Sequence, residues 1–324
     1  MAARFRACLG VPVDKDTDTM TITPDSVAST GALGLDLERE ARLFAARHGE
    51  IAVAPSRSWL VADLEYAYDR PAHECYLTAE GKGAETSIRW PFHRVAAVSW
   101  MVLRFAPGER VPIVEGPIVH AADATDEREM VAALFAALDA EPEAVLTTWG
   151  GEAKDLAILR RCAATHGLVL PLQLREGSPH ARERLDLCRA SCVQASPVHL
   201  PEMAAAVSVP SKPSPSTEIG QLVERGAWRE VREQVAADVL TTAVLAVRHL
   251  RAHGQIECDA ADTMMAMAAA ARKALPASAF VTRTFAPWAR GQKAASGLRG
   301  VIFRADPEPV RPPVRVLASA GGRR

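Results

Sequence analysis

The sequence predicts an α/β fold in which helices flank a mixed β-sheet. Three strand-like segments come first, between residues 51 and 120, and helical and strand-like segments alternate after them. Three strands in sequence followed by alternating units predict a mixed sheet that is covered by helices. A chain of 324 residues that is 48% hydrophobic and 24% charged can bury a sizeable core.

The individual elements follow from hydrophobic periodicity and from turn residues. Residues 1–35 are polar and predict a loose region, and residues 35–49 have a helical period that ends at a glycine. Strands are predicted at 51–65, 93–105, 111–120 and 144–149. Helices are predicted at 125–140, 152–166 and 226–254, with a shorter one at the start of 200–216 and an Ala/Met-rich one at 259–275. We expect an N-terminal extension with one helix (1–54), a main domain (55–254) and a C-terminal helical extension with a basic tail (255–324).

Four acidic residues lie where buried apolar side chains are expected. Asp63 and Glu65 are two positions apart on a strand and therefore share one face, and Asp155 and Asp238 lie on the apolar faces of two helices. Each acid alone is compatible with a helix cap, an ion pair or a partly exposed position. Four carboxylates in one dry cluster would not all stay ionised without cations. A pair of divalent ions with a preference for oxygen ligands, Mg²⁺ or Mn²⁺, resolves this problem.

Three motifs in this order resemble those of the DEDD superfamily of 3′→5′ exonucleases, which have a ribonuclease H-like fold. "VADLE" (61–65) resembles the first motif, "TTWGGEAKDLAILRR" (147–161) the second, and "VREQVAADVLTTAVLAVRHL" (231–250) the third. The similarity is greatest to the bacterial branch related to the exonuclease domain of family B DNA polymerases. It extends over residues 55–254 and includes the segments between the motifs.

The resemblance implies a role for each acidic residue. Asp63 would bridge two Mg²⁺ or Mn²⁺ ions, and Glu65 would hold one ion and contact the terminal 3′ hydroxyl. Asp155 and Asp238 would complete the two coordination shells, and the backbone at Leu64 would touch the last nucleotide. The implied reaction is hydrolysis of the terminal phosphodiester bond with release of a nucleoside monophosphate.

Other positions depart from the pattern of the branch or add contacts to nucleic acid. Gln234 replaces a tyrosine that orients the attacking water, and Glu233 occupies the position at which another branch has a histidine. Glutamine can hydrogen-bond a water but cannot act as a base, which predicts weakened activity. Lys154 and Trp149 replace an aromatic residue and an asparagine, and Lys212 ends a Pro-x-Lys segment. Trp149, Lys154 and Lys212 are therefore candidate nucleic-acid contacts, with an ordinary solvated lysine as the alternative for Lys154.

Composition excludes few classes of partner. A formal net charge of −1 gives no preference for a polyanion, and the six cysteines lack the paired spacing of a zinc site. No apolar run approaches the length of a membrane span, and no signal peptide is recognisable, so we expect a cytoplasmic protein. Residues 290–324 carry eight basic and two acidic side chains. This tail could follow a phosphate backbone or simply aid solubility.

The first hypothesis is therefore a metal-dependent 3′→5′ exonuclease acting on single-stranded DNA or RNA ends, with DNA favoured by the resemblance alone. The second hypothesis is an exonuclease-fold protein that has lost activity, or most of it, and binds 3′ ends. A third is an unrelated α/β protein whose acidic residues coincide by chance. The sequence names no protein partner.

Overall fold

A computed structural model describes residues 56–298 of the chain. The helix expected at 35–49 and most of the basic tail lie outside this range. A five-stranded sheet forms the centre of the described part, in the order β3-β2-β1-β4-β5. Its strands are β1 (Arg57–Tyr68), β2 (His93–Phe105), β3 (Ile113–Ala121), β4 (Val145–Thr148) and β5 (Arg184–Asp186).

Strand directions confirm the expected mixed sheet. β1, β2 and β3 pair antiparallel, while β4 lies parallel to β1 and β5 lies parallel to β4. The first three strands follow one another closely along the chain, whereas helical segments lead into β4 and β5. Antiparallel neighbours can be joined by short connections, whereas parallel neighbours need longer crossovers.

The helices differ in length and in position relative to the sheet. The longer ones are α1 (Arg70–Glu80), α2 (Glu127–Ala140), α3 (Asp155–His166), α8 (Trp228–Ala252), α9 (Ala260–Ala274) and α10 (Ala286–Leu298). The shorter ones are α4 (Leu172–Arg175), α5 (Leu187–Cys192), α6 (Leu200–Ala206) and α7 (Ile219–Glu224). Several starts are capped by side chains, as at α2 and α9, where Asp126 and Asp259 accept backbone hydrogen bonds from the first turn.

Alternation along β1 separates two cores. Leu60, Ala62 and Leu64 face a core formed with α2 and α3. Trp59 and Val61 face the other side, where α8 contributes many of the buried residues. Because alternate side chains of a strand point to opposite faces, every second residue after Trp59 and Val61 also faces α8.

The structure adds elements that periodicity did not predict. α1 and α10 were not assigned, and β5 is a strand of three residues. The helix expected at 152–166 begins only at Asp155, after a 3₁₀ turn at Gly151–Ala153. α9 and α10 pack into the same core as α8. The division into regions 1–54, 55–254 and 255–324 stays a prediction. Within residues 56–298, no helix combines the length and the apolar character that crossing a bilayer requires.

Candidate active site

Asp63 and Glu65 lie side by side on the face of β1 that α8 covers. They continue the row of Trp59 and Val61, and Glu65 is buried. The pairing of β1 with β2 shifts register between Glu65 and Tyr66. Irregularities of this kind alter the direction of side chains, and they are common beside active sites. The strand therefore delivers two carboxylates together at a break in the sheet.

Asp155 reaches the same region through a tight turn that requires glycine. Gly150 has a φ of 73°, and a Cβ on Gly151 would lie 2.5 Å from the hydroxyl oxygen of Thr148. Asp155 follows as the first residue of α3 and is 7% exposed. At this position it lies near the positive end of the helix dipole.

Asp186, to which the sequence assigned no role, holds this turn in place. Its two carboxylate oxygens accept hydrogen bonds from the backbone N–H groups of Gly150 (2.9 Å) and Glu152 (3.1 Å). One of these oxygens also caps α5 through the N–H of Arg189. Only the tertiary structure shows that this acid supports the turn before Asp155.

Asp238 extends from the middle of α8 towards β1 and completes an acidic cluster. Asp63, Glu65 and Asp238 each offer a carboxylate oxygen, and these three oxygens all lie within 4.8 Å of one another. Together with Asp155 they line one cavity of about 300 Å³, here called the acidic cavity. The four acidic residues singled out from the sequence therefore converge, which argues against the hypothesis of coincidental acids.

Lys212 supplies a positive charge inside this cluster. Its Nζ lies 2.5 Å from Oδ2 of Asp238 and 3.8 Å from Oε1 of Glu65, and its side chain is 7% exposed. The lysine was expected to contact nucleic acid, and the structure places it first against two carboxylates. Because a buried ammonium needs such partners, Asp238 and Glu65 keep the lysine charged.

The acidic cavity nevertheless remains short of positive charge. Burial, followed by the charges of Asp238, Glu65 and Asp155, raises the pKa of Asp63 well above its ordinary range. Burial raises the pKa of Glu65 to about 7, against the opposing effect of Lys212. Burial also raises the pKa of Asp155 to about 6, although the hydrogen bond from Tyr66 and the charge of Lys154 act in the opposite direction. The ionised forms are costly here because charges of one sign are crowded in a poorly solvated space.

The residues present fit divalent cations. Oε1 of Glu65 and Oδ1 of Asp238 are buried and accept no hydrogen bond from the described residues. Two lysines stand against four carboxylates around the acidic cavity. Unpartnered carboxylate oxygens with excess negative charge are the donors that Mg²⁺ and Mn²⁺ prefer. Asp63, Glu65, Asp155 and Asp238 are therefore the residues that could hold such ions.

The remaining predicted contacts also line the acidic cavity. Leu64 and Trp149 both border it, and the indole N–H of Trp149 donates to the carbonyl oxygen of Val198 at 3.1 Å. Lys154 is half-buried at the same cavity, with its Nζ 4.2 Å from the centre of the Tyr66 ring. His199, which the sequence analysis did not single out, is an exposed residue on its border.

Gln234 differs from the other predicted site residues. It is 0% exposed, and its Nε2 donates to the carbonyl oxygen of Ser214 at 3.1 Å. Its Oε1 is buried without a hydrogen-bond partner among the described residues. Glu233 does not face the acidic cavity. Its carboxylate accepts hydrogen bonds from the hydroxyl of Ser278 and from the backbone N–H groups of Ala279 and Phe280. Glu233 thus anchors the segment before α10 to α8.

Comparison with known proteins places these observations in a family. A family model described as a predicted 3′-5′ exonuclease related to the exonuclease domain of PolB matches residues 85–286. The match includes Asp155, Lys212 and Asp238 and begins after Asp63 and Glu65. No functionally curated protein matches the chain significantly.

The solved structures that align with this chain include a polymerase and exonuclease I. The family B DNA polymerase of the hyperthermophilic archaeon Pyrobaculum calidifontis aligns with a TM-score of 0.42 and 16% identity, over 67% of this chain and 29% of the polymerase. Product-bound exonuclease I aligns with a TM-score of 0.38 and 14% identity, over 62% and 45%. Exonuclease I of E. coli in complex with a 5cy-dT13 oligonucleotide aligns with a TM-score of 0.37 and 13% identity, over 61% and 41%. The aligned region spans less than half of each of these proteins.

Proposed function

Because the chain belongs to the family of predicted 3′-5′ exonucleases related to the exonuclease domain of PolB, we propose that it hydrolyses the terminal phosphodiester bond at the 3′ end of single-stranded nucleic acid. DNA is the favoured polymer, on the resemblance of the motifs alone. The proposed cofactors are two Mg²⁺ or Mn²⁺ ions, and the proposed products are nucleoside monophosphates.

The convergence of four acidic side chains from three distant segments on the acidic cavity is the observation that carries this proposal. Asp63, Glu65 and Asp238 bring oxygens within 4.8 Å of one another, and two buried carboxylate oxygens have no hydrogen-bond partner among residues 56–298. A cluster that only stabilised the fold would be expected to pair its charges. This one contains more carboxylates than lysines and raises the pKa of its own acids.

Each residue then has a defined task. When bound, a pair of divalent ions makes water more acidic and stabilises the charge that develops on the phosphate. Asp63 and Glu65 provide neighbouring oxygens from one rigid strand, Asp238 provides a third from α8, and Asp155 provides a fourth from the start of α3. Lys212 holds Asp238 in place and adds positive charge to the cavity in which a phosphate would bind. Trp149, Lys154 and Leu64 border the space for the terminal nucleotide.

The structure of Gln234 supports the alternative of a weakened or inactive protein that binds 3′ ends. Its amide nitrogen donates a hydrogen bond to Ser214, and Gln234 is not among the described residues that line the acidic cavity. A missing hydrogen bond to the attacking water would lower the rate by roughly 10²–10⁴, as for other losses of general acid–base assistance. We favour retained catalysis because all four acids are present.

A degradation assay separates these functions. The purified full chain is incubated with single strands of DNA or RNA that carry a 5′ label or a 3′ label, in Mg²⁺, Mn²⁺ or EDTA. The proposal expects the 5′-labelled strand to shorten stepwise in either metal, the 3′-labelled strand to release labelled mononucleotide, and neither to change in EDTA.

Asp63→Asn is the critical variant, and Asp139→Asn on the exposed surface of α2 is its matched control. The first should lose roughly 10³-fold in rate, because bound ions supply several kcal/mol of transition-state stabilisation and each 1.36 kcal/mol is a factor of ten. The control should keep the wild-type rate. Binding without shortening in both metals would support the alternative, and shortening that survives in EDTA would contradict both.

A further inference from the structure

Tyr66 makes a contact at the acidic cavity that the motifs of the family did not predict. Its hydroxyl donates a hydrogen bond to Oδ1 of Asp155 across an O···O distance of 2.6 Å. A distance this short is typical of a hydroxyl bound to an ionised carboxylate. Tyr66 follows Glu65 directly on β1 but faces the opposite core, together with Leu64.

The aromatic ring that carries this hydroxyl is itself fixed. Tyr66 is 6% exposed, its ring contacts His93, and the ammonium of Lys154 lies 4.2 Å from the ring centre. An ammonium over a tyrosine ring is attracted to its negative face. Lys154 immediately precedes Asp155, so the pair Lys154–Asp155 meets Tyr66 at both the ring and the hydroxyl. Two successive residues of the second motif are thereby tied to one residue of the first strand.

The contact leaves one side of the carboxylate available. Within the described part of the chain, the Asp155 side chain accepts a hydrogen bond from Tyr66 alone, through Oδ1. The same side chain lines the acidic cavity, in which a cation would bind. Without the hydroxyl, rotation about the side-chain bonds of Asp155 would no longer be restricted by a hydrogen bond.

We infer that Tyr66 is a positioning residue, which holds one oxygen of Asp155 so that the other faces a divalent ion in the acidic cavity. This inference rests on the proposed function, because it assumes that Asp155 is a metal ligand. It adds a residue outside the four acids. Hydrogen-bond partners behind a metal ligand set its orientation, and their loss commonly lowers metal affinity 10–100-fold.

The test measures metal binding directly, by Mn²⁺ titration followed by the electron paramagnetic resonance signal of the free ion. Tyr66→Phe removes the hydroxyl and keeps the ring under Lys154. Tyr76→Phe is the matched control, because its hydroxyl also makes one hydrogen bond, to the backbone N–H of Glu85, on a segment that does not line the cavity. We expect wild type and Tyr76→Phe to bind two Mn²⁺ ions. Tyr66→Phe should bind one of them 10–100-fold more weakly.

A second measurement does not depend on how the variant folds. The chain has three tyrosines, so full-length protein labelled with 3-fluorotyrosine gives few ¹⁹F resonances. Each resonance is assigned by its disappearance from the spectrum of one single Tyr→Phe variant. The Tyr66 resonance should shift as Mg²⁺ saturates the protein, and the Tyr76 resonance should stay in place. A Tyr66 resonance that does not move at saturating Mg²⁺ would overturn the inference.

The outcomes distinguish this inference from the proposed function. Equal Mn²⁺ affinity in wild type and Tyr66→Phe overturns the role of Tyr66, while nucleic-acid cleavage by both leaves the proposed function intact. Weaker Mn²⁺ binding by Tyr66→Phe supports the role of Tyr66, whether or not the wild type shortens nucleic-acid strands. If the wild type binds Mn²⁺ but shortens no strand, the proposed hydrolysis is overturned and the role of Tyr66 is not. A wild-type protein that binds no Mn²⁺ overturns both.

Discussion

Replacement of Glu65 with glutamine is expected to stabilise the protein in the absence of divalent ions. Burial raises the pKa of Glu65 from 4.5 to about 7, and the nearby carboxylate of Asp238 acts in the same direction, while Lys212 opposes them. The ionised form is therefore less favourable in the folded protein than in the unfolded chain. Glutamine has the same shape without the charge, and its amide can donate to a neighbouring carboxylate.

The size of the effect follows from proton linkage. Below pH 4.5 the carboxyl is protonated in both states and costs nothing. As the pH rises, the unfolded chain loses its proton first, so the free energy of unfolding falls until the folded group has also ionised, above about pH 7. A rise from 4.5 to about 7 corresponds to about 3 kcal/mol at pH 8, and to about 1 kcal/mol at pH 5. These values are upper limits for the gain in Glu65→Gln.

Urea unfolding in EDTA at pH 5 and pH 8 measures this gain. Glu74→Gln, on the exposed side of α1, is the matched control and should unfold like the wild type. Addition of Mg²⁺ should stabilise the wild type, by about 2.7 kcal/mol at one hundred times the dissociation constant. It should stabilise Glu65→Gln less. The reasoning is refuted if Glu65→Gln is no more stable than the wild type in EDTA at pH 8, or if its gain does not shrink at pH 5.

Two further substitutions test the scaffold of the site. Asp186→Asn places an amide against the N–H groups of Gly150 or Glu152, so it should lower the free energy of unfolding by about 1–3 kcal/mol in urea and slow the degradation of 3′ ends. A variant with wild-type stability and rate would contradict the role of Asp186. Glu127→Ala should cost about 3 kcal/mol, because it leaves Arg161 and the N–H of Val95 without their carboxylate partner. Burial alone would raise the pKa of Glu127, but these partners and a histidine outweigh it, so the pKa lies below its ordinary value. The electrostatic part of the advantage of wild type over Glu127→Ala should therefore be lost as the pH falls below 4.5, which acid-dependent melting would check.

Much of the fold was predictable because its main elements carry strong local signals. β2 was expected at 93–105 and is found at His93–Phe105, and the long helix expected at 226–254 is found at Trp228–Ala252. The Gly-Gly turn before Asp155 was also recognisable, since both glycines occupy positions where a side chain would be strained or would clash. Short elements such as β5 were missed, because three residues hold too little periodicity to be distinguished from a loop.

The site was predictable to the extent that acids interrupted apolar patterns. Asp63, Glu65, Asp155 and Asp238 were found in this way, and their convergence agrees with the prediction, whereas their roles as metal ligands stay a proposal. Gln234 lies on the expected side of α8, but nothing in its sequence context indicated that Ser214 would engage its amide. Tyr66 and Asp186 were missed for a similar reason, since each acts through a partner that is remote along the chain.

The amino-acid sequence by itself determined the long strand β2, the long helix α8 and which acids face inward, because these properties depend on neighbours three or four positions away in helices and two positions away in strands. Only the tertiary structure decided which groups meet. Lys212 pairs with Asp238 across 26 residues, and Tyr66 reaches Asp155 across 89. Such distances are set by the packing of α3 and α8 on opposite faces of one sheet, to which many side chains contribute and which no local pattern encodes.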